Sequence, residues 1–206
     1  MARKAPSFAR GKPRYKTQPR TLVLCEDTKS SLVYLREAAH HFRSYADIEF
    51  AHCGKTDPKG IVAAAIRQKS AFDDVYCVFD RDSHQGFDDA LALAALNNIE
   101  VIASYPCYEF WLLLHFTNSR RAYVPAGGLS AAECLVRRLS QEEGMDRYAK
   151  GSPSGLFETL LPRLPYATVN ASQILAATEL DGGLNPSTRL HELIAILRQL
   201  GNLRPN

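Results

Sequence analysis

Short continuous apolar runs alternate along the chain with longer stretches in which apolar residues recur every third or fourth position. The first kind of pattern predicts buried strands and the second amphipathic helices. Thr21 to Cys25 is a strand of this type, followed by a helix carrying Leu32, Leu35 and Ala39 and ending near Phe42. Asp47 to His52 reads as a second strand, with Ile48, Phe50 and His52 on one face. Asp57 and Pro58 then open a helix through Ile61, Val62, Ala65 and Ile66, proline being tolerated in a first turn. Val75 to Phe79 runs apolar for five residues; a helix from Asp88 to Leu96 and a strand from Ile99 to Ala103 follow it. Strands alternating with helices in this way predict an α/β fold with a mostly parallel sheet flanked by helices.

Beyond that sheet, Ser104 to Phe116 is apolar on every side and begins with Pro106, which predicts a buried helix crossing behind the sheet edge. From Arg120 onward the glycines and prolines cut the chain into short helices, the last of them placing Leu190, Leu193, Ile194 and Leu197 on one face. The expected organisation is a basic flexible arm over residues 1–20, an α/β domain over 21–118, and a helical extension over 119–206 packed on the same core.

Polar residues at the strand exits are the candidates for chemistry. Asp80 and Asp82 follow the Val75–Phe79 run, and residues two apart on an extended chain face the same side. Like charges about 4 Å apart repel by roughly 4 kcal/mol at an effective dielectric of about 20. A divalent cation such as Mg²⁺ relieves that repulsion, and it commonly takes one or two carboxylates with substrate phosphate oxygens completing its shell; a solvated turn is the plainer account of the same pair. Glu26 ends the first strand, where a polar residue is unremarkable. The helix after it offers backbone donors at its N-terminus, to which Lys29 would add charge for an anion. Glu109 is an acid within an apolar segment, costly to bury unless it is paired with an arginine or bound to a metal. Gly54 Lys55 Thr56 invites a nucleotide-loop reading, but the motif requires a glycine where the chain has Glu49.

Composition narrows the classes. The net charge of +3 conceals an N-terminal segment with Arg3, Lys4, Arg10, Lys12, Arg14, Lys16 and Arg20 and no acid, leaving the remainder slightly acidic. Such a segment serves either as an arm on nucleic-acid phosphates or as a solubilising tail. The 5 cysteines are scattered without a C-x-x-C pair, and the 6 histidines lack ligand spacing, which argues for reduced thiols and against a disulfide framework or a zinc site. No apolar run approaches the roughly 20 residues of a membrane span, and the basic N-terminus lacks the apolar core of a secretory signal, so no membrane partner and a cytoplasmic location are expected.

Leu22 to Ser31, the Thr56 Asp57 Pro58 turn, Val75 to Asp82, Pro106 to Phe116 and Asn185 Pro186 Ser187 Thr188 together resemble the RloB-like family. A glutamate after a first strand and Asp-x-Asp after a later one also resemble the Toprim fold of topoisomerases, primases and overcoming-lysogenization-defect nucleases. The resemblance implies a Toprim-like sheet in which Glu26 is the acid/base glutamate, Asp80 and Asp82 are the metal-binding aspartates, and Glu109 joins the site. It implies a nuclease using Mg²⁺ or Mn²⁺ on DNA or RNA, with Lys29 or Arg81 on the substrate phosphate. RloB-like proteins are associated with bacterial restriction and phage-defence loci, often beside a separate AAA-type ATPase, which is the partner the resemblance implies. A non-catalytic nucleic-acid or nucleotide-binding adaptor is the competing reading, since fold does not decide function. Whether the chain forms a homo-oligomer is left open.

Overall fold

A computed structural model describes residues 19–44, 48–81, 86–151 and 154–202. Five strands form one sheet in the order β2-β1-β3-β4-β5. Strand β1 (Thr21–Cys25) is interior and wholly buried, with β2 (Ile48–Ala51) on one side and β3 (Asp74–Asp80) on the other, both parallel to it. Strand β4 (Glu100–Tyr105) runs parallel to β3, and β5 (Ser187–Thr188) closes the edge antiparallel to β4. The chain leaves β1 first toward β2 and later returns to β3, so the order reverses between β1 and β3. In open α/β sheets that reversal opens a crevice at the carboxyl ends of the two strands, where ligands bind.

Alternation along the strands divides the core into two layers. On one face Leu22, Leu24, Val75, Cys77 and Phe79 pack against α2 (Pro58–Gln68) and α3 (Phe87–Leu96). On the other, Val23, Cys25, Tyr76, Val78 and Ile102 pack against α1 (Ser31–His41) and a larger helical layer. That layer holds α4 (Glu109–Leu113), α5 (Ala131–Leu139), α6 (Leu156–Leu160), α7 (Leu164–Leu180) and α8 (Leu190–Asn202). The C-terminal helices therefore share one continuous apolar cluster with the sheet. Among the described residues no helix is long and apolar enough to cross a membrane.

Local chemistry accounts for the element ends. Asp57 caps α2 by accepting from Gly60 N at 2.6 Å, with Pro58 in the first turn. Ser130 and Glu133 form a reciprocal capping box at the start of α5. Two expectations require correction. Pro106 to His115 is buried throughout, yet it is helical only over Glu109–Leu113, because uniform hydrophobicity reports burial and carries no helical period. The final third also contributes a strand, β5, too short for alternation to reveal; it is joined to β4 by a 2.8 Å hydrogen bond between the Ser104 and Thr188 hydroxyls.

Candidate functional site

The β1–β3 crevice is a cleft of about 490 Å³. One residue past β1, Glu26 still pairs with β3 through its N–H, which donates to Val78 O at 2.9 Å. Its carboxylate turns across the strand end and accepts from Asp80 N at 2.9 Å through Oε2. Asp80 is the last residue of β3 and shares the face of Tyr76 and Val78, directing it toward the helical layer. Glu109 enters from α4 and is 1% exposed, fully enclosed in that layer.

The three carboxylates make a crowded anionic pocket. Burial, then Glu109 and then Glu26, hold the Asp80 carboxyl well above the usual carboxylate range, with Lys150 opposing them. Glu109 Oε1 accepts from the Tyr148 hydroxyl at 3.0 Å. Glu109 Oε2 accepts no hydrogen bond among the described residues; its nearest cation is Lys150 Nζ at 3.7 Å. Cys107 lies beside them, and donor atoms of Asp80, Cys107 and Glu109 all fall within 4.8 Å of one another. Burial, reinforced by Glu109 and Asp80, pushes the Cys107 thiol up. Tyr148 is likewise raised by burial and by Glu109, so its hydroxyl stays a donor.

Of the residues singled out in the sequence, Glu26, Asp80, Glu109 and Lys29 all line the cleft. Asp82 lies outside the described residues, as do residues 1–18 of the basic arm. Arg81 is placed elsewhere, because it follows Asp80 and so points to the opposite face of the strand. Its guanidinium sits 4.3 Å from the Phe87 ring and lines a separate pocket of about 90 Å³ with Tyr105 and Arg189.

The anion-binding end expected at α1 is taken by the protein itself. Asp27 accepts from Lys29 N at 2.8 Å, Ser30 N at 2.5 Å and Ser31 N at 3.1 Å, and also from the Ser31 hydroxyl at 2.7 Å. Those donors rigidify the turn carrying Glu26 and Lys29 and are not offered to a ligand. Three residues around Glu109 escaped the sequence reading: Lys150 on the cleft wall, and Cys107 and Tyr148 behind it. Cys107 reads as one more buried thiol. Tyr148 and Lys150 lie in a stretch without periodicity, and only the packing of the C-terminal layer brings them to Glu109.

The family model for RloB-like protein matches residues 21–197, which include every described residue of the cleft. No curated protein and no solved structure matches the chain. An α/β sheet bearing these residues over that matched span is the evidence of descent, and the chain belongs to the RloB-like protein family.

Proposed function

We propose that the cleft binds a divalent cation and hydrolyses phosphodiester bonds in nucleic acid. The observation that carries this reading is Glu109 Oε2, a carboxylate oxygen buried without a hydrogen bond beside a second acid of raised pKa. Buried ionised carboxylates are costly unless paired or bound to metal, and the Lys150 ammonium, at 3.7 Å, makes no hydrogen bond to Glu109 Oε2. The donor set fits a cation: Asp80 and Glu109 would hold it, and the Toprim resemblance adds Asp82. When bound, a divalent cation supplies Lewis-acid chemistry, drawing charge from a phosphoryl oxygen and making water a better nucleophile.

The remaining work falls to the chain's own groups. Glu26 accepts from Asp80 N–H at 2.9 Å, which orients its carboxylate at the strand end to take a proton from an attacking water. Lys150 and Lys29, both on the cleft wall, hold the phosphate and offset negative charge developing on it. Tyr148 keeps the Glu109 carboxylate oriented. The basic arm would add nonspecific, salt-sensitive phosphate contacts. The RloB-like resemblance extends the proposal to a phage-defence or restriction setting with an AAA-type ATPase acting in trans.

The engagement of Glu26 by Asp80 N–H also suits a second reading, in which Glu26 is structural and the protein is a binding adaptor. Cleavage and binding measured side by side on Glu26→Gln and Asp80→Ala separate the two. Turnover lost with nucleic-acid binding retained supports the hydrolase. Binding lost, with no turnover in the unsubstituted protein, supports the adaptor.

A further inference from the structure

The acids of the cleft are not its whole donor set. Cys107 is 2% exposed, lies two residues before Glu109 on the segment that carries that carboxylate into the pocket, and offers sulfur within 4.8 Å of Asp80 and Glu109 oxygens. Resting on the cation reading above, we propose that Cys107 joins Asp80 and Glu109 as a protein ligand and that the centre selects a thiophilic divalent transition cation, Zn²⁺ rather than Mg²⁺.

Two observations meet here. One is the donor geometry. Zinc sits about 2.0–2.2 Å from carboxylate oxygen and about 2.3 Å from thiolate sulfur, so the ligands of a tetrahedral ion lie about 3.3–3.8 Å apart. The described atoms are within 4.8 Å of one another, and rotation of the three side chains toward a shared ion brings them to that spacing. The other is Glu109 Oε2, which is buried in the same cluster without a hydrogen bond. Two carboxylates and a thiolate carry three negative charges for a divalent cation to offset, and Asp80 and Glu109 line the cleft, through which water or a phosphate oxygen would reach the ion. Hard Mg²⁺ takes oxygen ligands and keeps several waters, so a sulfur donor contributes nothing to it. Binding converts Cys107 from thiol to thiolate as the sulfur–metal bond forms, and the released proton passes to solvent.

Cobalt(II) is a spectroscopic stand-in for zinc, since thiolate ligation gives it a sulfur-to-metal charge-transfer band in the near ultraviolet. The full chain is titrated with Co²⁺, bound metal is counted by equilibrium dialysis, and Zn²⁺ and Mg²⁺ are tested as competitors. Stoichiometric Co²⁺ with the charge-transfer band is expected. Zn²⁺ should displace it and equimolar Mg²⁺ should not. Cys107→Ser should lose the band and weaken Zn²⁺ binding at least ~10-fold, while Mg²⁺ binding changes less than ~3-fold. Cys107→Ala serves as a second variant, with far-ultraviolet circular dichroism confirming that each is folded. Co²⁺ bound without the band in the unsubstituted protein overturns the sulfur ligand while leaving the acidic cation site intact. A band that persists in folded Cys107→Ser assigns the sulfur to another cysteine and overturns the proposal. Absence of any bound cation overturns both this inference and the cation reading beneath it.

Discussion

Replacing Asp80 by Asn removes one negative charge from the cleft while preserving side-chain size and the backbone N–H that Glu26 accepts from. Ligand atoms of Asp80 and Glu109 lie within 4.8 Å of each other. Two charges at that distance repel by about 3 kcal/mol at an effective dielectric near 20. Glu26 adds to this and Lys150 offsets part of it, so Asp80→Asn should stabilise the cation-free protein by about 2 kcal/mol. In a chain of this size that is a rise of roughly 4–8 °C in Tm.

The sign of the pH dependence follows from the raised pKa of Asp80. The native state holds this proton more firmly than the unfolded state, whose value is near 3.8. The favourable contribution is therefore complete below that pH and is lost as pH rises through the folded value. In EDTA the advantage of the variant should be absent near pH 4 and grow toward alkaline pH. A cation at 100 times its Kd should stabilise the unsubstituted protein by about 2.7 kcal/mol and the variant far less, erasing or reversing the order. Thermal melts at several pH values, with EDTA and with cation, measure all of this. Equal melting of the two proteins across pH in EDTA, or equal gain from cation, would refute the electrostatic reasoning.

Lys150→Met should tighten cation binding about 3- to 10-fold by removing a competing charge 3.7 Å from Glu109, and should weaken nucleic-acid binding; titration calorimetry and KM test the two together, and no change in either would remove Lys150 from the site. Burial holds His115 down to about 4 from 6.5, with Nδ1 donating to the Trp111 and Leu112 carbonyls at 3.1 and 3.2 Å. A depressed histidine contributes stability that is present above its unfolded value and lost as pH falls from 6.5 toward 4. Across that window the unsubstituted protein should lose about 3 kcal/mol more than His115→Asn, and parallel denaturation profiles would contradict this. A Cβ at Gly201 would lie 1.7 Å from Phe42 O, so Gly201→Ala should cost at least ~2 kcal/mol by separating α8 from the end of α1; an unchanged denaturant midpoint would show that the helix shifts freely.

Continuous apolar runs made β1 and β3 legible in the sequence, and their polar exits at Glu26 and Asp80 mark the rim of the cleft. Glu109 stood out because an acid amid Phe110, Trp111 and Leu112 violates the cost of burying charge. Less local facts were not legible. The partner of Glu109 is a lysine 41 positions on where an arginine was the expected ion pair, and nothing near Lys150 announces the approach. The direction of Arg81 depends on how far β3 stays extended, and capture of the α1 N-terminus by Asp27 depends on one rotamer. β5, at two residues, is shorter than any period.

Cleavage itself is the most direct test. Labelled single- and double-stranded DNA and RNA are incubated with the purified chain in EDTA or with Mg²⁺, Mn²⁺ or Zn²⁺, beside folded Asp80→Ala and Glu26→Ala. Cation-dependent strand scission by the unsubstituted chain, abolished in both variants, is the expected result. Scission that survives both substitutions, or that proceeds equally in EDTA, would contradict a hydrolytic centre built on these acids.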